Sequence, residues 1–386
     1  MQRKTTVAIF LLAAGTAWNG GNVGPAVSQL TESFSVTLSA VGLLSGTVLF
    51  AAVVAASLVT PMLSDRLGPA FGAKLAALLC GAGNVIFAAG PTYGWLIGGR
   101  VVAGLGLGIS LVLGPAVARA AGGVRLLGVF GAGIMLGVAA ALGVGGALAE
   151  AGIDWRVAFA VSAVLGFSSL PLLPANVEVA PPGARRPGDL RRLVRSLPEW
   201  RLLLLFVAIL AVPLVISAWF NHYLITEGGV GAGLAGLLAF SLFGLCTAVR
   251  VAGGRLSDRR ASPLILAGLA PLVAAAGVAL FALKPTLVGA IASIVLMGPG
   301  FAFPYATMFD EGERLLADDP VLSLTFLTAG ANATPILAIP LVGGALANGN
   351  GEGAFLILAA FVALSGVANL RPAVPSARGP GPTEPS

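Results

Sequence analysis

The sequence predicts an all-α polytopic membrane protein, with 12 transmembrane helices in two parallel six-helix repeats. Composition is the first sign. The chain is 57% hydrophobic and 10% charged, with a mean hydropathy of +0.96, whereas soluble domains carry roughly 25% charged residues. There is too little charge to cover a water-facing surface, so lipid must solvate most of the exterior. The second sign is a repeated tetrapeptide. Leu63-Ser64-Asp65-Arg66 returns as Leu256-Ser257-Asp258-Arg259, an offset of 258 − 65 = 193 in a chain of 386 residues, half its length. The third is a series of apolar stretches, each long enough to cross about 30 Å of hydrocarbon with about 20 residues.

Those stretches fall near 7–30, 38–62, 73–91, 94–118, 126–149 and 155–174, then near 201–225, 233–254, 263–283, 286–308, 321–345 and 353–370. The first could pass for a signal peptide, but the spans that follow favour a retained helix. An even number of spans in each half makes the repeats parallel. The division is therefore a first bundle over 1–174, a linker over 175–200, a second bundle over 201–371 and a tail over 372–386. Pro181, Pro182, Pro187 and a cluster of arginines suit a cytoplasmic linker at the lipid headgroups. The tail is rich in Pro, Gly and Ser and is expected to be disordered.

Lysine and arginine orient the bundle. With the N-terminus in the cytoplasm, Arg156 and Lys284 fall outside and Arg100 and Arg250 lie within spans. The remaining 18 of the 22 fall inside. Both termini are thus expected in the cytoplasm, with the protein in the cell membrane. The same bias explains the net charge of +6 without invoking nucleic acid, since the basic residues form no contiguous stripe.

Cys80 and Cys246 lie inside apolar spans and read as small apolar residues. With one His and two separated Cys, the chain offers neither a metal cluster nor a nucleophile–base pair. No enzyme activity, cofactor or metal is expected. The expected partners are the lipid bilayer and a small-molecule substrate, with the chain acting as a monomer.

Charge inside a span is costly, roughly 2.5–3.5 kcal/mol for an arginine at a helix centre. All sixteen acids lie at span ends, in loops or in the tails, with Asp310 nearest to an exception. Arg250 sits eight residues before Asp258, about 12 Å deep at 1.5 Å per residue. It is a candidate anion site; the alternative is a structural role, paired with backbone carbonyls or with Asp310. Arg100 is about six residues from the outer end of its span and within snorkelling reach. It is open to an outer-gate or structural role and to a substrate or coupling role.

Other polar residues form a candidate pocket. Trp18, Asn19 and Asn22 lie in a first span loosened by Gly20, Gly21, Gly24 and Pro25. Asn221 and His222 lie in the outer part of the seventh span, and Asn332 precedes Pro335 in the eleventh. Each alone is more often a helix–helix hydrogen bond than a ligand. His222 is the one span residue with an unperturbed pKa near neutrality, which allows a proton-coupling role. Gly42-x-x-x-Gly46 and Gly133-x-x-x-Gly137 have the spacing that lets helices approach closely.

The repeated motif resembles the signature of the major facilitator superfamily between its second and third helices, and the resemblance covers essentially the whole chain. The first copy reads Pro61-Met62-Leu63-Ser64-Asp65-Arg66-Leu67-Gly68. The second, Gly254-Arg255-Leu256-Ser257-Asp258-Arg259-Arg260, is closer to the family pattern. Arg100 followed by Gly104, Gly106 and Gly108 is similar to the family's fourth helix. Asp154-Trp155-Arg156 with Phe159 is similar to the start of its sixth. Ala141 and Leu142 stand where exchangers of the family have Gly-Pro in the fifth. The resemblance implies the major facilitator fold and a gating role for Asp65, Arg66, Asp258, Arg259 and Arg100; the alternative for the aspartates is that they only end their helices at the interface.

Arg250 through Asp258 is also similar to the eighth helix of nitrate/nitrite porters, oxalate–formate exchangers and monocarboxylate transporters, where an arginine at this spacing binds the anion. The first-half counterpart is Ser57, not a second arginine. The expectation is a secondary transporter of a small organic or inorganic anion working by alternating access. Its substrate contacts would be Arg250, Trp18, Asn19, Asn22, Asn221, His222 and Asn332. The alternative is an exporter of drugs or other neutral or cationic metabolites.

Overall fold

A computed structural model describes residues 2–174, 195–257, 263–305, 307–308, 311–312 and 320–370. Among these residues the chain is helical, with no strand. The helix α1 is broken into Gln2–Ala17, the tight turns Trp18–Gly20 and Gly24–Ala26, and Val27–Phe34. Glycine disfavours helix, and Pro25 has no N–H to give. The helix α2 runs Leu38–Gly42, Leu43–Val48 and Leu49–Leu67, its middle piece widened to a π-helical turn.

Pro69–Ala89 is α3, Tyr93–Gly123 is α4, Arg125–Glu150 is α5 and Trp155–Ser168 is α6. No loop separates α4 from α5. Gly123, at φ 63° and ψ −153°, makes the turn, a conformation reserved almost entirely for glycine. The helix α6 stops short of the expected span because Pro171 cannot extend it. In the second half, α7 is Leu197–Thr226, α8 Ala232–Ser257, α9 Pro263–Leu283, α10 Leu287–Ala302, α11 Pro320–Ala347 and α12 Gly351–Leu370. The helix α7 starts inside the expected linker, with proline and Glu199 in its first turn, both favourable at a helix start. The rest of that linker, residues 175–194, and the tail lie outside the described residues.

The packing repeats as the sequence does. A Cβ added to Gly83 would meet Ala103, and one on Gly277 would meet Met297. Gly106 abuts Cys80 as Gly300 abuts Ala274. The offsets are 277 − 83 = 194 and 300 − 106 = 194, so α3–α4 and α9–α10 are the same unit built twice. Gly104 against Ala52 likewise recurs as Gly298 against Leu245.

The two ends of the bundle differ. One end, the basic face, carries Arg3, Lys4, Arg66, Lys74, Arg119, Arg125 and Arg201. The far face carries Ser35, Gly90, Gly152, Gly229 and Gly349. At the far face the halves meet closely. A Cβ on Gly46 would lie 2.7 Å from the Pro335 carbonyl oxygen, and one on Gly42 3.0 Å from Pro340 Cα. On the other side, Gly146 would come 2.8 Å from Gly236 Cα. Thr47 Oγ1 donates to the Ile336 carbonyl at 2.6 Å. Glu150 Oε2 accepts the Gly233 N–H at 2.9 Å, placing a carboxylate of the first half at the start of α8. The Gly133/Gly137 pair packs on Ala13 and Ala14 of α1. Both glycine pairs are thus close-packing surfaces.

Candidate functional site

Arg100, on α4, is 1% exposed. It does not snorkel, because the backbone around it supplies acceptors closer than water. Nε donates to the Leu44 carbonyl at 3.1 Å, Nη1 to Asn22 Oδ1 at 3.0 Å and Nη2 to the Asn19 carbonyl at 2.8 Å. Leu44 lies in the π-helical turn of α2 and Asn19 in the broken turn of α1. Both irregular segments free carbonyls from the regular helix ladder, and one guanidinium takes them up.

The network continues through Asn84, a residue the sequence reading missed. Asn84 Nδ2 donates to Asn19 Oδ1 at 3.0 Å and to the Cys80 carbonyl at 2.8 Å. Asn22 Nδ2 donates to Asn84 Oδ1 at 3.2 Å and to Ser162 Oγ at 3.3 Å. Asn19 Nδ2 reaches the Thr16 carbonyl at 3.0 Å. Asn19 and Asn22 therefore do not present free amides to a ligand. Their polar atoms are committed to Arg100, Asn84 and the turn of α1.

Arg250, on α8, is in a different situation. Its Nε and Nη1 are buried, and neither has a hydrogen-bond partner among the described residues. The guanidinium carbon lies 4.0 Å from the centroid of the Tyr305 ring, and Tyr305 Oη would be 3.5 Å from a Cβ on Gly131 of α5. The arginine is thus placed where the second half meets the first. A cation over an aromatic face is attracted by the ring quadrupole, but guanidinium N–H bonds lie in the guanidinium plane. The ring covers a face and leaves edge donors unpaired. An isolated buried donor costs about 1–3 kcal/mol, more when charged. A planar oxyanion in that plane would relieve the cost with bidentate geometry.

The other candidates lie at several depths. Arg250 is 18 residues into α8 from Ala232, about 27 Å from the far end. Asn221 is five residues from the end of α7 at Thr226, about 7 Å from that face. A single small ligand cannot touch both. Trp18 is 3% exposed, and its Nε1 has no partner among the described residues. Asn332 Nδ2 is spent on the Thr328 carbonyl at 2.8 Å. Asn221 is 2% exposed with both amide atoms unpartnered among the described residues. His222 beside it is half-buried, its ring 6.1 Å from Trp219. Of the gating residues, Arg66 is exposed near the end of α2, with Asp65 beside it in the chain. Asp258, Arg259 and Asp310 lie outside the described residues.

The Asp154 motif has a local explanation. Asp154 caps α6 by accepting the Arg156 N–H at 2.8 Å. Trp155 and Phe159 pack on Phe87, the latter stacked at 4.0 Å.

A family model described as the major facilitator superfamily matches residues 9–311. The chain belongs to the major facilitator superfamily. It is a multi-pass membrane transporter and not an enzyme. A search of curated proteins gave no significant match. Among solved structures, the chain is similar to a bacterial homologue of the human lysosomal transporter Spinster in an inward-facing, occupied conformation. The TM-score is 0.71 at 16% identity, covering 94% of this chain and 95% of that one. It is similar to the nucleoside transporter NupG at TM-score 0.72 and 14% identity, over 95% and 98% of the two chains. A partially occluded, inward-open xylose transporter XylE from E. coli gives 0.69 and 17%, over 95% and 98%. These likenesses carry the twelve-helix superfamily fold.

Proposed function

We propose that this transporter moves a small anion by alternating access, with Arg250 as the group that holds it. The observation behind this reading is the state of Arg250 itself: buried Nε and Nη1 without acceptors among the described residues, one face on Tyr305, beside α5 of the opposite half. A cation left unanswered by the described residues favours a ligand that answers it, and such a ligand is released when the halves part. In this reading the basic face lies in the cytoplasm, the side that the lysine and arginine bias favours, and the protein acts as a monomer in the cell membrane. In this reading Asp65 and Arg66, with Asp258 and Arg259, hold the cytoplasmic side closed, since opposite charges at apposed helix ends attract and separate when the halves rock.

The test is uptake into proteoliposomes of a panel of labelled anions (nitrate, formate, oxalate, lactate) and cationic dyes, under imposed pH and voltage gradients. Anion uptake that is lost in Arg250→Ala is the expected result. Anion uptake unaffected by the substitution overturns the role of Arg250, and transport of cationic dyes alone overturns the anion class in favour of a drug exporter.

A further inference from the structure

The far-face seam between α2 and α11 carries a hydrogen bond whose acceptor is created by a proline. Pro340 lies inside α11. Proline has no N–H, so the Ile336 carbonyl four residues earlier loses its helical donor, and the ring pushes that carbonyl aside. Thr47 Oγ1, from the opposite half, donates to it at 2.6 Å. Other hydroxyls of α2 behave differently. Ser45, Ser57 and Thr60 donate to the carbonyls four residues back, those of Val41, Val53 and Ala56, a common outlet for serine and threonine inside a helix. Thr47 belongs to the π-helical turn Leu43–Val48. Arg100 holds that turn from within the first half at the Leu44 carbonyl. Gly46 brings it against Pro335 and Pro340 of the second half. On the same stretch of α11, the Ile339 carbonyl accepts Trp219 Nε1–H at 2.9 Å, which fixes α11 to α7.

We propose that Thr47 and the proline-freed Ile336 carbonyl form a latch that holds the far face closed. The donor and the acceptor have different alternatives. When the halves part, the Thr47 hydroxyl can turn back to a carbonyl of α2, as its neighbours do. The Ile336 carbonyl has no helical donor while Pro340 is in place, so it must be answered by Thr47 or by water. A buried carbonyl answered by neither is costly. Closed with the bond and open with water are therefore the favourable states, and a parted but dry seam is not. The bond makes the seam two-state and biases it towards closed by its net strength.

The latch is tested without any transported substrate, so its outcome is independent of the Arg250 reading. Single cysteines in the reconstituted protein are labelled by a membrane-impermeant maleimide added from the far side, the native Cys80 and Cys246 being buried. Labelling follows the open population when the halves move faster than the thiol reacts. Ser39→Cys reports the α2–α11 seam, where Ser39 Oγ lies 3.6 Å from the place of a Cβ on Gly344. Ala149→Cys reports the α5–α8 seam, beside Gly146 and Ala232. Thr47→Val keeps the shape and removes the donor. It should raise both rates about fivefold, about 1 kcal/mol at 1.4 kcal/mol per tenfold, whereas Thr47→Ser should stay within about twofold of the parent. Pro340→Ala restores an N–H for the Ile336 carbonyl, so in that background Thr47→Val should raise the rates by less than about twofold. Comparing pairs within each background removes the effect of Pro340→Ala on the packing at Gly42 and Gly46. Rates unchanged by Thr47→Val, or raised as much by Thr47→Ser, overturn the latch. A rise confined to Ser39→Cys means fraying of α2 alone and also overturns it. An equal rise in both backgrounds overturns the part assigned to Pro340.

Discussion

Arg100 and Arg250 are both arginines set inside an apolar bundle, and the protein answers them differently. Arg100 has an acceptor for each of its three nitrogens, supplied by α1 and α2. Arg250 has an aromatic ring on one face and, among the described residues, no acceptor for Nε or Nη1. The internal repeat makes the contrast sharper. The position matching Arg250 at the 193-residue offset is Ser57, whose hydroxyl turns back to the Val53 carbonyl of its own helix at 2.8 Å. A saturated buried cation holds a structure together, whereas an unsaturated one is a receptor in waiting.

The contrast is most exposed to failure at Arg100. Arg100→Ala leaves the Leu44 and Asn19 carbonyls and Asn22 Oδ1 without their donor. At about 1–3 kcal/mol for each stranded group, the loss is several kcal/mol, seen as a large drop in thermal unfolding temperature in detergent. Arg250→Met should do the reverse. It strands no acceptor and removes an uncompensated charge, so the ligand-free protein should be as stable as the parent or more so. Anion uptake should nonetheless fall by about a hundredfold, the order expected for losing a charge-assisted pair worth about 3 kcal/mol. If Arg250→Met unfolds the protein as readily as Arg100→Ala, the two arginines are alike and the distinction is wrong.

A step smaller is Asn84→Leu. It removes one node of the Arg100 network and leaves the arginine's own contacts in place. A loss of about 1–3 kcal/mol is expected from the amide ends stranded on Asn19 and Asn22, read by the same unfolding measurement. A loss as large as that of Arg100→Ala would mean that the amides, not the arginine, organise the break in α1.

The fold was legible in the sequence because it depends on sums and periods. Apolar length, the lysine and arginine bias and the Leu-Ser-Asp-Arg repeat each integrate over many residues. The site was legible one residue at a time, and there the reading divided. Arg250 stood out because charge in a span is rare. Asn84 is equally visible as an amide within an apolar span, but nothing in its spacing sets it apart from the amides of α1, α7 and α11 that make up the expected pocket. Tyr305 lay at the end of a span and carried no sign of its partner. Asn19 and Asn22 were correctly placed on one loosened segment, yet their partners come from α3, α4 and α6, which spacing along α1 cannot reveal. Arg100 was given a route to the surface by its distance from the helix end. That estimate ignored the two carbonyls freed by irregular turns on neighbouring helices.

Glu150 extends the comparison to a charge that is answered but exposed. Its carboxylate meets one backbone N–H across the halves, at the positive end of α8, and water competes for every other lone pair. Such contacts contribute about 0.3–1 kcal/mol. Glu150→Gln keeps an acceptor oxygen and loses only the charge, so the unfolding temperature should barely change. Because the contact spans the two halves, its loss should act on their equilibrium instead. Thiol labelling at Ala149→Cys from the far face should rise by about twofold, corresponding to roughly 0.4 kcal/mol. A drop in unfolding temperature matching that of Asn84→Leu would break the ordering by burial. No change in labelling would show that the glycine contacts at Gly46 and Gly146 close the far face without help from this carboxylate.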